Sequence, residues 1–166
     1  MIFSPKRLLT LNTFLPRKGN QVARAAGIEF IGASQPSPDV LIVAGPPGSG
    51  KTHLLHALAN FAKRNEALHS IVCQSAIQFA DEVARGLLYS DLDEVLGRYA
   101  GEGLMAIDDV DRVCYQSDVA DALLKVIQMR QDRNKRTLLT ATLSLSYSSK
   151  HPLMQFLDHQ PAVRLI

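Results

Sequence analysis

Val40-Leu41-Ile42-Val43-Ala44-Gly45-Pro46-Pro47-Gly48-Ser49-Gly50-Lys51-Thr52 is the stretch on which the fold turns. Its first five residues are apolar without polar alternation, the pattern of a parallel strand buried on both faces. The next eight fit G-x-x-x-x-G-K-[ST] in full, and each part has a physical task. The glycines admit backbone angles that a Cβ forbids and let amides come close to phosphate oxygens. A helix starting at Lys51 adds its positive dipole end. Lys51 is placed to reach the β- and γ-phosphates, and the Thr52 hydroxyl to coordinate Mg²⁺. Gly45, Pro46, Pro47, Gly48, Ser49, Gly50, Lys51 and Thr52 are therefore the expected cradle for ATP or ADP.

Downstream, Leu54, Leu55, Leu58, Phe61 and Ala62 share one face of a helix running to about Lys63. His69 to Cys73 reads as a second strand. Helices are expected over Ala76–Leu87 and Asp91–Tyr99, with Ser90 and Asp93 resembling a capping box for the latter. Leu104–Ile107 is a third strand, Val119 to Ile127 lie in a further helix, Thr137–Thr142 is a fourth strand and Ala162–Ile166 a fifth. Upstream, the turn formers of Ala33–Pro38 read as a linker. Strands alternating with helices imply parallel β–α–β units and a three-layer α/β/α sandwich. The expected organisation is one domain over residues 1–166, with 1–38 as its N-terminal segment.

The third strand runs directly into Asp108 and Asp109. Asp108 takes the Walker B position of a phosphate-loop fold and is expected to hold Mg²⁺. Asp109 is placed to orient or deprotonate an attacking water. Thr140 and Thr142 fall at the carboxyl end of the fourth strand, the edge where open α/β sheets bind ligands. Either is a candidate to meet the γ-phosphate or the water.

Bulk properties agree with a globular domain. The 166 residues are 46% hydrophobic and 20% charged, with a net charge of +2, too mild to announce nucleic-acid binding. No apolar stretch approaches the roughly 18 residues that cross a bilayer, and the first fifteen residues lack the continuous apolar segment of a signal peptide. The expected location is the cytoplasm, with no membrane partner. Cys73 and Cys114 form no CxxC pair, and Cys73 reads as a buried thiol. His53 and His56 are three apart, not the four of a zinc-binding HExxH pair. Arg130, Arg133, Lys135 and Arg136 read as cations at a helix C-terminus rather than phosphate-backbone contacts. Lys6, Arg7, Arg17 and Lys18 read as a solvated basic face.

Taken together, several motifs resemble the AAA+ domain of the bacterial replication initiator DnaA and its shorter relative Hda. They are Gly50-Lys51-Thr52-His53-Leu54-Leu55-His56-Ala57 with Asn60, Thr10-Leu11-Asn12-Thr13-Phe14 with Asn20 and Ala23, Ser75-Ala76-x-x-Phe79, Arg98-Tyr99, Ile107-Asp108-Asp109 and Leu138-Leu139-Thr140. The likeness covers roughly residues 10 to 166. It implies sheet order 5-1-4-3-2, and makes the two helices between the second and third strands the initiator-type insertion. It also implies an adenine side built by the segment around Phe14, with His53 beside the base. By the same resemblance the partners are another AAA+ subunit, a replication protein such as a DnaA-type initiator, helicase or clamp, or DNA.

The chain departs from this pattern in places. Where the family carries an acidic or amide sensor-1 side chain, Thr142 stands nearest. Pro152–Leu157, in the place of the arginine-finger helix, contains no arginine. The family's helical lid, its sensor-2 arginine, its helix-turn-helix and the clamp-binding peptide of Hda have no counterpart between Met1 and Ile166. The expectation is a nucleotide-dependent binding protein in replication initiation or its regulation. It is at most a weak ATPase alone, with Lys51, Asp109 and Thr142 as the catalytic candidates. The competing expectations are a DnaC/IstB-like helicase loader receiving a finger in trans, and a scaffold that no longer binds nucleotide.

Overall fold

A computed structural model describes residues 4–15, 17–33, 39–64, 68, 70–142 and 152–166. Its elements are α1 (Gln21–Gly32), β1 (Val40–Ala44), α2 (Lys51–Arg64), β2 (Ile71–Ser75), α3 (Ala76–Tyr89), α4 (Leu92–Gly101) and β3 (Leu104–Asp108). A 3-10 turn (Val110–Arg112), α5 (Ser117–Gln131), β4 (Arg136–Ala141), α6 (Pro152–Asp158) and β5 (Ala162–Arg164) follow. The strands form one sheet in the order β2-β3-β4-β1-β5, all parallel. This is the order 5-1-4-3-2 read from the other edge.

Because strand side chains alternate between faces, each central strand feeds two cores. Val40, Ile42, Met105, Ile107, Leu139 and Ala141 pack with α3, α4, α5 and α6. Leu41, Val43, Leu104, Ala106 and Leu138 pack with α1, α2 and Phe14. Every residue of β1, β3 and β4 is buried: β1 reads as an unbroken apolar run, β3 as one up to Asp108, while β4 encloses Arg136, Thr137 and Thr140 among its apolar residues.

One local expectation needs correction. The capping box lies at the head of α3, where Gln78 N–H donates to Ser75 Oγ and Ser75 N–H to Gln78 Oε1. Ser90 instead closes α3 in a left-handed conformation, φ 60°, so it is a C-cap and cannot cap α4. The linker reading Ala33–Pro38 lies, apart from Ala33, outside the described residues, as does His69 at the expected start of β2. The N-terminal segment also carries α1, whose buried face is Ala23, Gly27, Phe30 and Ile31. A Cβ on Gly27 would sit 2.4 Å from Leu58 Cδ1, so a side chain there would force the buried Leu58 or α1 itself to shift.

Two members of the basic cluster after α5 are also not solvated. Arg130 is 0% exposed and Arg136 is buried as well. Arg130 donates to the carbonyls of Tyr99, Glu102, Gly103 and Arg136 and to Thr137 Oγ1, and Arg136 donates to Ala33 O. They are internal staples joining α4, α5, β4 and the end of α1. Arg133 is exposed, as are Lys6, Arg7, Arg17 and Lys18.

Candidate nucleotide-binding site

The site forms at the carboxyl ends of β1, β3 and β4, where the parallel order aligns the phosphate loop with Asp108 and Thr140. Gly48 (φ 79°) and Gly50 (φ 97°) take left-handed angles that let the loop fold back over the head of α2. The first amides of α2 have no partner within the helix and face this concavity. Lys51 is buried, and its Nζ donates to Gly45 O at 3.0 Å and Pro46 O at 3.2 Å. Ser49 Oγ is buried without a hydrogen-bond partner. A phosphate chain suits this arrangement: it would take the Lys51 ammonium from two loop carbonyls and give Ser49 an acceptor.

Opposite the loop, Thr52 Oγ1 donates to Asp108 Oδ2 at 2.7 Å. Thr140 Oγ1 donates to Asp108 Oδ1 at 2.5 Å and accepts from Asp109 N–H at 2.8 Å. A hydroxyl and a carboxylate oxygen facing each other are a donor pair fit for a hard divalent cation. Asp109 follows β3 in a left-handed conformation, φ 55°, which Asp tolerates better than most side chains. Its Oδ2 lies 3.4 Å from Arg112 Nε. Its pKa is raised, first by desolvation and then by the carboxylates of Asp108 and Asp111, with Lys51 and Arg112 opposing. Thr142 lies one residue beyond β4, half-buried, its N–H donating to Asp111 Oδ1 at 3.1 Å.

The N-terminal segment closes the other side of the loop. Phe14 is buried, meets the His53 ring edge-on at 5.3 Å, and would lie 3.3 Å from a Cβ placed on Gly50. His53 Nε2 lies 3.2 Å from Thr13 Oγ1 and 3.3 Å from Thr10 O. One turn on, His56 Nδ1 accepts from Lys6 N–H at 3.3 Å, which puts the imidazole proton on Nε2, and Cys73 Sγ sits 3.1 Å from the same nitrogen. Asn60 Nδ2 then donates to Lys6 O and Leu9 O, both at 2.8 Å. Burial lowers the His56 pKa, with the Lys6 and His53 charges reinforcing and Asp108 opposing, and pushes the Cys73 thiol up to about 12.

The residues expected to bind nucleotide or Mg²⁺ thus gather at the carboxyl end of the sheet, with Thr142 one residue beyond β4. Two sets of contacts lie beyond the reading of the sequence, which takes Thr140 only as a candidate for the γ-phosphate or the water. Thr140 binds the Asp108 carboxylate and the Asp109 amide. The polar stripe His53–His56–Asn60 clamps the segment that carries Phe14. The stripe's helical spacing puts these three side chains on neighbouring turns, but the partners they hold in the N-terminal segment carry no sequence signal.

Residues 6–147 match the family model described as the bacterial DnaA ATPase domain. The chromosomal replication initiator protein DnaA of Leptothrix cholodnii is 35% identical over 102 residues, 61% of this chain and 20% of that protein. The chain therefore matches only a minor part of this relative's length. Among solved structures, AMPPCP-bound DnaA from Aquifex aeolicus has a TM-score of 0.87 at 21% identity, covering 97% of this chain and 50% of that one. The DnaC helicase loader has a TM-score of 0.76 at 16% identity, covering 96% and 98%. At these identities the structural likenesses speak for the fold.

Proposed function

The chain belongs to the bacterial DnaA ATPase-domain family, and from that premise we propose that it binds ATP or ADP with Mg²⁺ and acts in replication initiation or its regulation. The observation that carries this reading is Lys51: among the described residues its buried ammonium donates to two loop carbonyls, and the next residue, Thr52, pairs with Asp108. Gly45 to Thr52 would cradle the phosphates, while Phe14 and His53 would flank the base. Thr52 and Asp108 would hold Mg²⁺, which when bound neutralises phosphate charge. Asp109 is the group to orient or deprotonate a water, and its raised pKa makes it a better proton acceptor than an ordinary aspartate. Thr142 would assist at the outer end of the site.

Turnover by the isolated chain is expected to be slow. An arginine finger is worth ~10³–10⁵ in rate, and Pro152–Leu157 supplies none. The working state would then be set by which nucleotide is bound, read by another AAA+ subunit, a replication protein such as an initiator, helicase or clamp, or DNA. Calorimetric titration of the purified chain with ADP and ATP, with and without Mg²⁺, tests the reading. Saturable binding that Mg²⁺ strengthens is expected; no heat and no thermal shift would reduce the chain to a scaffold. Steady-state turnover near one per second, abolished in Asp109→Asn, would instead favour a loader-type ATPase.

A further inference from the structure

We propose that Thr140 is a positioning residue that aims the Asp108 carboxylate at Thr52 and pins the Asp109 main chain, rather than a group that meets phosphate. The proposal rests on the nucleotide-and-Mg²⁺ reading above. A hydroxyl has one hydrogen and two lone pairs. The Asp109 amide can only donate, so at 2.8 Å it uses one lone pair of Thr140 Oγ1. The Thr140 hydrogen is therefore committed to Asp108 Oδ1, at a distance typical of a charge-assisted O–H···O⁻ bond, 2.5 Å. What remains is a lone pair, which has the wrong polarity for a phosphate oxygen.

Sheet register explains why a side chain is needed here. The β3–β4 pairing ends at Ile107 opposite Leu139. The next pair would be Asp108 opposite Thr140, where this ladder has ended although Asp108 still pairs with Ser75 of β2 on its other edge. The Thr140 hydroxyl takes over where the ladder stops. With Oδ1 held, the carboxylate presents Oδ2 to Thr52 Oγ1. With its amide held, Asp109 keeps the left-handed backbone that a free chain would leave. One buried, fully enclosed hydroxyl thereby fixes both acidic residues relative to the phosphate loop.

The test uses the full chain with Thr140→Val, which keeps the shape, and Thr140→Ser, which keeps the hydroxyl. In nucleotide-free protein, amide hydrogen exchange at Asp109 should rise at least about tenfold in the Val variant and stay near wild type in the Ser variant. In ADP titrations the Val variant should lose about 10- to 100-fold of Mg²⁺-dependent affinity, keep its affinity in EDTA within about twofold, and be rescued by Ser. Unchanged Asp109 exchange, or an equal loss of affinity in EDTA, would overturn the assignment. Should Thr140→Val fail to fold, Thr140→Cys, a poor donor of similar size, takes its place. Wild-type chain that binds no Mg²⁺-ADP would sink the nucleotide reading, and the exchange measurement would still decide whether Thr140 holds Asp109.

Discussion

Two buried cations sit at opposite ends of the sheet, and they are built differently. Arg130 lies beneath the amino ends of β3 and β4, and all five of its N–H groups are engaged: Nε with Thr137, one terminal nitrogen with Tyr99 O and Glu102 O, the other with Gly103 O and Arg136 O. Burial pulls its pKa to about 10, which leaves it charged at neutral pH. Lys51, at the carboxyl end, has two of its three donors on carbonyls of a loop whose Pro46, Pro47 and Gly48 are exposed. A cation saturated by acceptors from α4, β4 and the turn that joins α4 to β3 is a structural staple. An unsaturated one resting on a solvent-facing loop can exchange its partners for a ligand. Burial of charge alone does not distinguish the two roles; the number of acceptors and the exposure of the segment that carries them do.

The largest expected effect breaks the comparison at Arg130. Arg130→Met strips five bonds and leaves buried carbonyls unpaired, and should lower unfolding free energy by about 3–5 kcal/mol in urea titrations. Lys51→Met should leave nucleotide-free stability within about 1 kcal/mol, because an incompletely paired buried charge contributes little. The same variant should weaken ADP binding by about 2–3 kcal/mol in calorimetry, the worth of charge-assisted hydrogen bonds to phosphate. The contrast fails if Arg130→Met melts like wild type or if Lys51→Met unfolds the chain.

His56 sharpens the comparison from the neutral side. Its pKa is lowered by burial, so the unfolded chain takes up the proton first as pH falls. The associated stability is present above the ordinary histidine pKa near 6.5 and is lost as pH drops through the depressed folded value. Urea midpoints should therefore fall between pH 7.5 and 5.5, by no more than the one-proton limit of about 1.4 kcal/mol per pH unit. His56→Gln should flatten that dependence. Protonation at Nδ1 would also cost the Lys6 N–H bond, so the N-terminal segment should loosen first in hydrogen exchange.

The smallest effect is expected at an exposed cation. Lys125 Nζ pairs with Asp93 Oδ1 at 2.9 Å, with both side chains mostly in solvent. Lys125→Ala should change stability by less than about 1 kcal/mol, and 0.5 M salt should erase most of that. A larger loss would mean that exposed pairs matter here as much as buried ones.

How far the site could be read in advance follows from how local its parts are. The phosphate loop is eight consecutive residues, and its glycine angles, lysine and threonine are all legible from order alone. The strands β1 and β3 announce themselves because burial on both faces makes Val40–Ala44 and Leu104–Ile107 continuously apolar, whereas β4 carries Arg136, Thr137 and Thr140 in the same enclosure. The helix α1 is less legible because bulky apolar residues occupy only the second half of its buried face, Phe30 and Ile31, while the first half is Ala23 and Gly27, the latter close against Leu58. The charges of Arg130 and Arg136 pointed to a helix terminus in solvent, since a run of residue types carries no sign of acceptors gathered from distant segments. Ser90 and Asp93 matched a capping pattern, yet the left-handed exit of α3 took Ser90 for another purpose.

By itself the order of residues determined where a phosphate cradle lies, which strands are internal and how they alternate with helices, because these depend on neighbours within one turn or one pleat. Only the tertiary structure decided that Thr52 and Thr140, separated from Asp108 by 56 and 32 residues, hold its two oxygens. It alone decided, too, which basic residues face water and which are enclosed. Hydrogen bonds between distant segments are set by sheet register and packing, and those exist only once the chain has closed on itself.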